Sequence, residues 1–246
     1  MKFGLLPACF LLPMVLNFIP ASGQSSQEDS VFYQSALNHT LAIYFNQLGD
    51  QSRLLNGTQF PEYEYSFQKG DPFFMSDKPV PGSIMYDSVY YPNQLLLFDS
   101  YRQFVVIVDQ SFKLKLVNEK INSFQIGNHH FVRIAENNLS GLPNTGYYEI
   151  LYTGRSRVLK RDLKKYSEKI SVEEGITRIL DEKEYFFIKQ GDLYKPVNSK
   201  KELLNVMDSH RKEIQKFIRK NGLSYKANME NTLSQAAAYF DQLDNH

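Results

Sequence analysis

The chain contains no tryptophan and a single cysteine in 246 residues. One thiol excludes a disulfide scaffold and any metal site built from several thiolates. An excess of one charge is lacking too, since 28 basic residues face 27 acidic ones. That balance excludes bulk electrostatic binding of nucleic acid. Motifs for a nucleophile or a nucleotide are missing. There is no Gly-x-Ser-x-Gly, no Walker-type glycine loop and no Gly-x-Gly-x-x-Gly. Beyond the first 19 residues no apolar run nears the about 20 residues of a membrane-spanning helix, so the mature chain is expected to have no transmembrane span.

What is present begins with an address. Lys2 precedes an apolar run from Phe3 to Ile19, broken by Pro7, Pro13 and Asn17, and Ala21-Ser22-Gly23 follows. One basic residue, a short apolar core and a small-x-small exit predict a signal peptide over 1–23, cleaved after Gly23. Cys9 lies inside this leader, too near Met1 for a lipoprotein box. The mature chain is then free of thiols, which suits an oxidising compartment outside the cytoplasm.

Residues 24–198 read as a helix followed by a sheet. Asp29 or Ser30 can cap a helix to about Leu48, with Leu37, Leu41, Tyr44 and Leu48 on one stripe. Short apolar and aromatic runs then alternate with turn residues, predicting strands at 63–67, 83–90, 94–98, 104–108, 113–117, 122–126, 130–135 and 147–152. Connections this short predict an antiparallel meander of sequence neighbours. The runs 95–98 and 104–108 are apolar without alternation, as strands covered on both faces are, and the terminal helices are the expected cover. Residues 155–184 give the weakest signal, an exposed strand or a mobile excursion. A hairpin at 185–188 and 193–197 follows.

Residues 199–246 read as a helical hairpin. Ser199-Lys200-Lys201-Glu202 has the form of a capping box. Leu203, Met207, His210, Ile214 and Phe217 then form one stripe, and Leu233, Ala236, Phe240 and Leu243 a second. The expected fold class is α+β, a curved antiparallel β-meander packed against an N-terminal helix and a C-terminal αα-hairpin.

The order of leader, N-terminal helix, Leu54-Leu55-Asn56-Gly57, Gly70-Asp71-Pro72-Phe73-Phe74, Gly82 with Tyr86, and the closing Ala238-Tyr239-Phe240-Asp241-Gln242-Leu243 resembles uncharacterised secreted proteins of Bacteroidota. The resemblance implies a periplasmic or secreted location in a Gram-negative bacterium. It brings no established activity and no catalytic residue.

His129-His130 is the one histidine pair. Neighbours on a strand point to opposite faces, so the two imidazoles are not expected to share a metal, and no metal or cofactor residue is assigned. Asp99 and Asp109 sit where turns favour Asp. Tyr86, Tyr90, Tyr91 and Tyr101 would line a groove if they converged. Charge is split along the chain: residues 24–153 hold 8 basic and 13 acidic residues, residues 154–246 hold 19 and 14. Within the second half, Arg155, Arg157, Lys160, Arg161, Lys164 and Lys165 form a basic run. It is expected to be solvated and to offer contact to an anionic surface or an envelope protein. The expected function is a non-enzymatic envelope binding module. The alternatives are a hydrolase using carboxylates with His129 or His130, and a carrier of a small apolar ligand in an aromatic-lined cavity.

Overall fold

The computed structural model describes residues 53–109, 112–135, 140–173 and 175–243, together with Ala36. The expected leader lies outside the described residues, as does the expected N-terminal helix apart from Ala36, which is helical and exposed. The fold is α+β, a large antiparallel sheet with helices at its C-terminal end.

Eleven strands form one sheet: β1 (Thr58–Gln59), β2 (Val80–Tyr86), β3 (Val89–Asp99), β4 (Phe104–Val108), β5 (Lys113–Lys115), β6 (Ile121–Ile126), β7 (His129–Ile134), β8 (Gly146–Thr153), β9 (Arg157–Ser171), β10 (Gly175–Gln190) and β11 (Leu193–Pro196). Their order is β1-β5-β4-β3-β2-β6-β7-β8-β9-β10-β11. This corrects the simple meander in two places, because β6 pairs with β2 and not with β5, and the short β1 pairs with β5 and not with β2. Asn118–Lys120 is a 3-10 turn that carries the chain from β5 back to the free side of β2. Four strand spacings would separate β5 from β6 in a flat sheet, about 19 Å. A connection this short that also coils requires the sheet to roll. Two bonds across the roll agree: the Tyr147 hydroxyl donates to Asn118 Oδ1 and the Tyr147 N–H to Gln103 Oε1.

Three expectations are corrected locally. The run 83–90 is not one strand, since Asp87 and Ser88 both have positive φ (53° and 63°) and form the two-residue turn between β2 and β3. Left-handed backbone at both positions is the geometry that matches hairpin twist. The run 63–67 is not a strand either. Its alternating rings join an aromatic cluster with Phe73, Tyr101 and Tyr166 while its backbone stays outside the ladder. Among the described residues the second face of β3 and β4 is covered by the stretch from Phe60 to Phe73, because Leu97 and Val106 pack with Phe60 and Phe73, and Tyr63 packs against them.

The weak region 155–184 is the longest paired unit in the molecule, with β9 and β10 in continuous register from Arg157↔Lys189 to Ser171↔Gly175. Directly paired residues share a face, so Phe131, Glu149, Lys160 and Phe186 form one row across β7 to β10. On that face Phe98, Phe124, Phe131 and Tyr147 fill the rolled part of the sheet, with ring centroids 4.8 to 5.5 Å apart. Further along, the helices α1 (Lys200–Val206), α2 (Arg211–Lys220) and α3 (Met229–Leu243) cover Val158, Phe186 and Ile188.

Ser199 caps α1 by accepting the Glu202 N–H, and Glu202 reaches back to the Asn198 N–H. The single helix expected from this cap breaks at Met207 into α1, a 3-10 turn at Asp208–His210, and α2. Asp241 on α3 fixes the helices to the sheet. Its carboxylate accepts from the Ser156 N–H (2.9 Å), the Ser156 hydroxyl (2.6 Å) and the Tyr152 hydroxyl (3.0 Å).

Candidate functional site

Alternation on the two long strands decides which charges meet. Lys160, Asp162 and Lys164 occupy every second position of β9, and Glu182 and Glu184 lie opposite Lys164 and Asp162 on β10. All five side chains therefore share the face that carries the helices. Glu149 joins them from β8, opposite Lys160, and Glu230 arrives in the first turn of α3.

Lys160 is the hub. Its Nζ lies 2.6 Å from Glu230, 3.0 Å from Glu184, 3.3 Å from Asp162 and 3.9 Å from Glu149. Burial pulls its pKa down, but the bond to Glu230, the charge of Asp162 and the bond to Glu184 outweigh that, and the net shift is upward. Lys164 donates to the Asp71 and Phe73 carbonyls and lies 3.9 Å from Glu182. Five carboxylates thus surround two ammonium groups. Burial is the main reason the Asp162 carboxyl is pushed up to about 6. Lys160 opposes that shift, and the charges of Glu182 and Glu184 add to it.

Beside this cluster opens a cleft of about 860 Å³. Glu182, Glu184 and Phe186 of β10 form one wall, while Tyr225, Met229 and Glu230 form the other. The second wall is held by Asn228, whose Oδ1 caps α3 by accepting the Asn231 N–H. The Tyr225 hydroxyl is buried without a hydrogen-bond partner among the described residues, and burial raises its pKa.

The basic run is distributed differently from its expected solvated form. Arg155 and Lys165 are exposed and Arg157 is half-buried. Lys160 and Arg161 are buried, and the Lys164 side chain is nearly so. Arg161 leaves the acidic face, donating to the Tyr148 hydroxyl and to the Asn144 and Thr145 carbonyls on the other side of the sheet. Lys160, Arg161 and Lys164 therefore hold internal partners, which corrects the expectation of a solvated run. Sequence reasoning missed the carboxylates around them. The Lys160-x-Asp162-x-Lys164 and Glu182-x-Glu184 spacings carry that signal once both segments are strands.

His129 and His130 do point apart. His129 Nδ1 lies 2.5 Å from Glu149 Oε1, with the Phe74 ring edge-on at 5.0 Å, whereas His130 lines a separate hollow of about 240 Å³ with Tyr90. Among the described residues no group of three or more His, Cys, Asp or Glu side chains is arranged to hold a metal ion. Asp99 is fully buried and serves its turn, accepting the Arg102 N–H and the Tyr63 hydroxyl. The four tyrosines do not converge. Tyr86 and Tyr91 are buried in the core, Tyr90 lines the small hollow, and Tyr101 joins the cluster around Phe67 and Tyr166.

Comparison with known proteins finds no matching family model, no matching curated sequence and no matching solved structure. Among the described residues no helix is long and apolar enough to cross a membrane.

Proposed function

We propose that this protein is a non-enzymatic binding module acting outside the cytoplasm, with the cleft between β10 and the start of α3 as its ligand site. The observation that carries the proposal is the cleft itself, an open site of about 860 Å³ with mixed polar and apolar walls and an unpartnered buried phenol. That volume is in the range of ligand sites. The extracytoplasmic setting rests on the leader-like residues 1–23 and the near absence of cysteine. The partner is an envelope protein in preference to an anionic surface, because Lys160, Arg161 and Lys164 of the basic run are already bonded internally.

Selection from a random peptide display library on the immobilised full chain tests this reading. Selected ligands are expected to lose binding to an Ala227→Trp variant, which fills the cleft from its loop wall. Failure to select any ligand, or ligands indifferent to Ala227→Trp, overturns the proposal. The contact between His129 and Glu149 is the observation that favours the hydrolase alternative. Turnover of an ester or glycoside that Ala227→Trp spares and His129→Asn abolishes would establish that alternative.

A further inference from the structure

The edge of β10 that faces the cleft is covered on both sides of a gap. At one end, the Gln68 N–H donates to the Arg178 carbonyl and the Leu180 N–H to the Lys69 carbonyl. At the other, the Phe186 N–H donates to Asn198 Oδ1 and the Val197 N–H to the Phe186 carbonyl, after which β11 takes over. Residues 178, 180 and 186 therefore turn their backbone away from β9. The β9–β10 register runs without a shift between them, so Glu182 and Glu184 turn theirs the same way. Among the described residues nothing pairs with the backbone N–H and C=O of these two positions. Both residues line the cleft.

An unpaired strand edge is a template for another strand. From Leu180 to Phe186 the strand rises about 20 Å, which leaves room for four or five residues of added chain. The charge of the site selects that chain. A side chain directly opposite Glu182 or Glu184 lies against its carboxylate, and the cluster that includes these two holds five carboxylates against the ammonium groups of Lys160 and Lys164. Two further cations line the cleft, Lys183 and Lys226. Lys183 points its side chain to the other face, where its ammonium sits 4.9 Å from the Tyr185 ring, and Lys226 on the loop wall still leaves the five carboxylates in excess of the cations. Phe186 and Met229 supply an apolar bed for long aliphatic stems.

We propose, resting on the binding-module reading, that the cleft takes an extended cationic segment of a partner protein as an added strand on the free edge of β10 at Glu182 and Glu184. Lysine or arginine at alternate positions of that segment meets the two carboxylates, and its backbone completes the ladder between Lys69 and Asn198.

The test uses the full chain and the capped peptide Ac-Lys-Val-Lys-Val-Lys-NH2, with calorimetry at low and high salt. Binding is expected at low salt and is expected to weaken with added salt. Two N-methylated versions, one blocked at the lysine amides and one at the valine amides, keep the charge and remove alternate donors. Only one set faces β10 in an added strand, so one version is expected to lose about tenfold in affinity or more while the other binds normally. A Glu182→Pro variant removes an outward N–H at an edge position that tolerates proline and is expected to lose the peptide as well. The methylated peptides keep the test valid if that variant fails to fold. Equal binding of both methylated versions, or equal binding of the Glu-Val counterpart, overturns the strand-addition proposal. If library ligands depend on the cleft but are acidic or helical, this proposal falls and the binding-module reading stands. If no ligand depends on the cleft, the reading itself falls.

Discussion

Replacing Lys160 by methionine removes the one cation shared by four carboxylates and keeps the aliphatic stem. The cost follows from which of the four can escape to water. The side chains of Glu184 and Glu230 are 50% and 40% exposed, whereas those of Glu149 and Asp162 are 7% and 8% exposed. The first two can turn outward. Asp162 stays buried without its counter-ion while Glu149 keeps only its contact with His129, and breaking a buried pair in this way costs about 3–5 kcal/mol. The pH dependence has a definite sign. The Asp162 carboxyl titrates near 6 in the native protein, against about 3.9 unfolded. The native state therefore binds its proton first, so ionised Asp162 lowers stability at neutral pH and the loss is recovered as pH falls through 6 towards 4. Lys160 is shifted upward and stays charged throughout that range, so the slope comes from the carboxylates. Without Lys160 the Asp162 carboxyl moves higher still. Urea unfolding should thus show Lys160→Met destabilised by about 3–5 kcal/mol at pH 7.5 and by less than half as much at pH 5. Adding Asp162→Asn should restore part of the loss at pH 7.5. A deficit under about 1 kcal/mol at pH 7.5, the value of an exposed pair, or a deficit equal at both pH values, would refute the buried-hub argument.

Other perturbations follow from the same contacts. Asp241→Ala strands the Ser156 N–H, the Ser156 hydroxyl and the Tyr152 hydroxyl. It should cost about 3–5 kcal/mol in chemical denaturation, while Asp241→Asn should cost less. Ser199→Ala removes the α1 cap and should lower stability by about 1 kcal/mol, seen as a reduced urea midpoint at unchanged slope. His130→Ala should be neutral within about 0.5 kcal/mol. His129→Ala should cost about 1–3 kcal/mol through the loss of the Glu149 contact. Metal content of a purified variant carrying both His129→Ala and His130→Ala, and of wild type, should stand at background, and stoichiometric zinc in wild type would contradict this.

Most strands between 94 and 152 were legible because alternation and short turns act locally. The covered strands β3 and β4 announced themselves by unbroken apolar runs at Leu95–Phe98 and Phe104–Val108. Their cover was not legible, because the aromatic alternation Tyr63-x-Tyr65-x-Phe67 imitates a strand while serving as a lid of rings. Asp87-Ser88 hid its turn because neither residue is the glycine that positive φ usually recruits. The basic run misled for a different reason. Counting seven cations against two acids over residues 155–169 ignores the strand opposite, where Glu182 and Glu184 stand two residues apart and supply the missing charge. A charge run has meaning only with its cross-strand partners. The cleft was invisible for the same reason, since its two walls lie some 40 residues apart along the chain.

The double pairing of β2 has a consequence for how the chain reaches this structure. Within the block β2 to β5, and within the block β6 to β11, each strand pairs with its sequence neighbours, so each block can zip up from local turns. The β2–β6 seam, the short β1–β5 ladder and the bridge from Lys69 to β10 wait for distant segments to meet. Local pairings form early and non-local ones late, so the topology predicts a stage with two half-sheets, each showing a bare edge. At the seam Gly82 leaves no room for error: a Cβ there would sit 2.0 Å from the Gln125 carbonyl oxygen. A side chain at that position would hold the two edges apart and prolong their exposure to other chains. The expected determinant of aggregation during refolding is therefore how fast β6 finds β2.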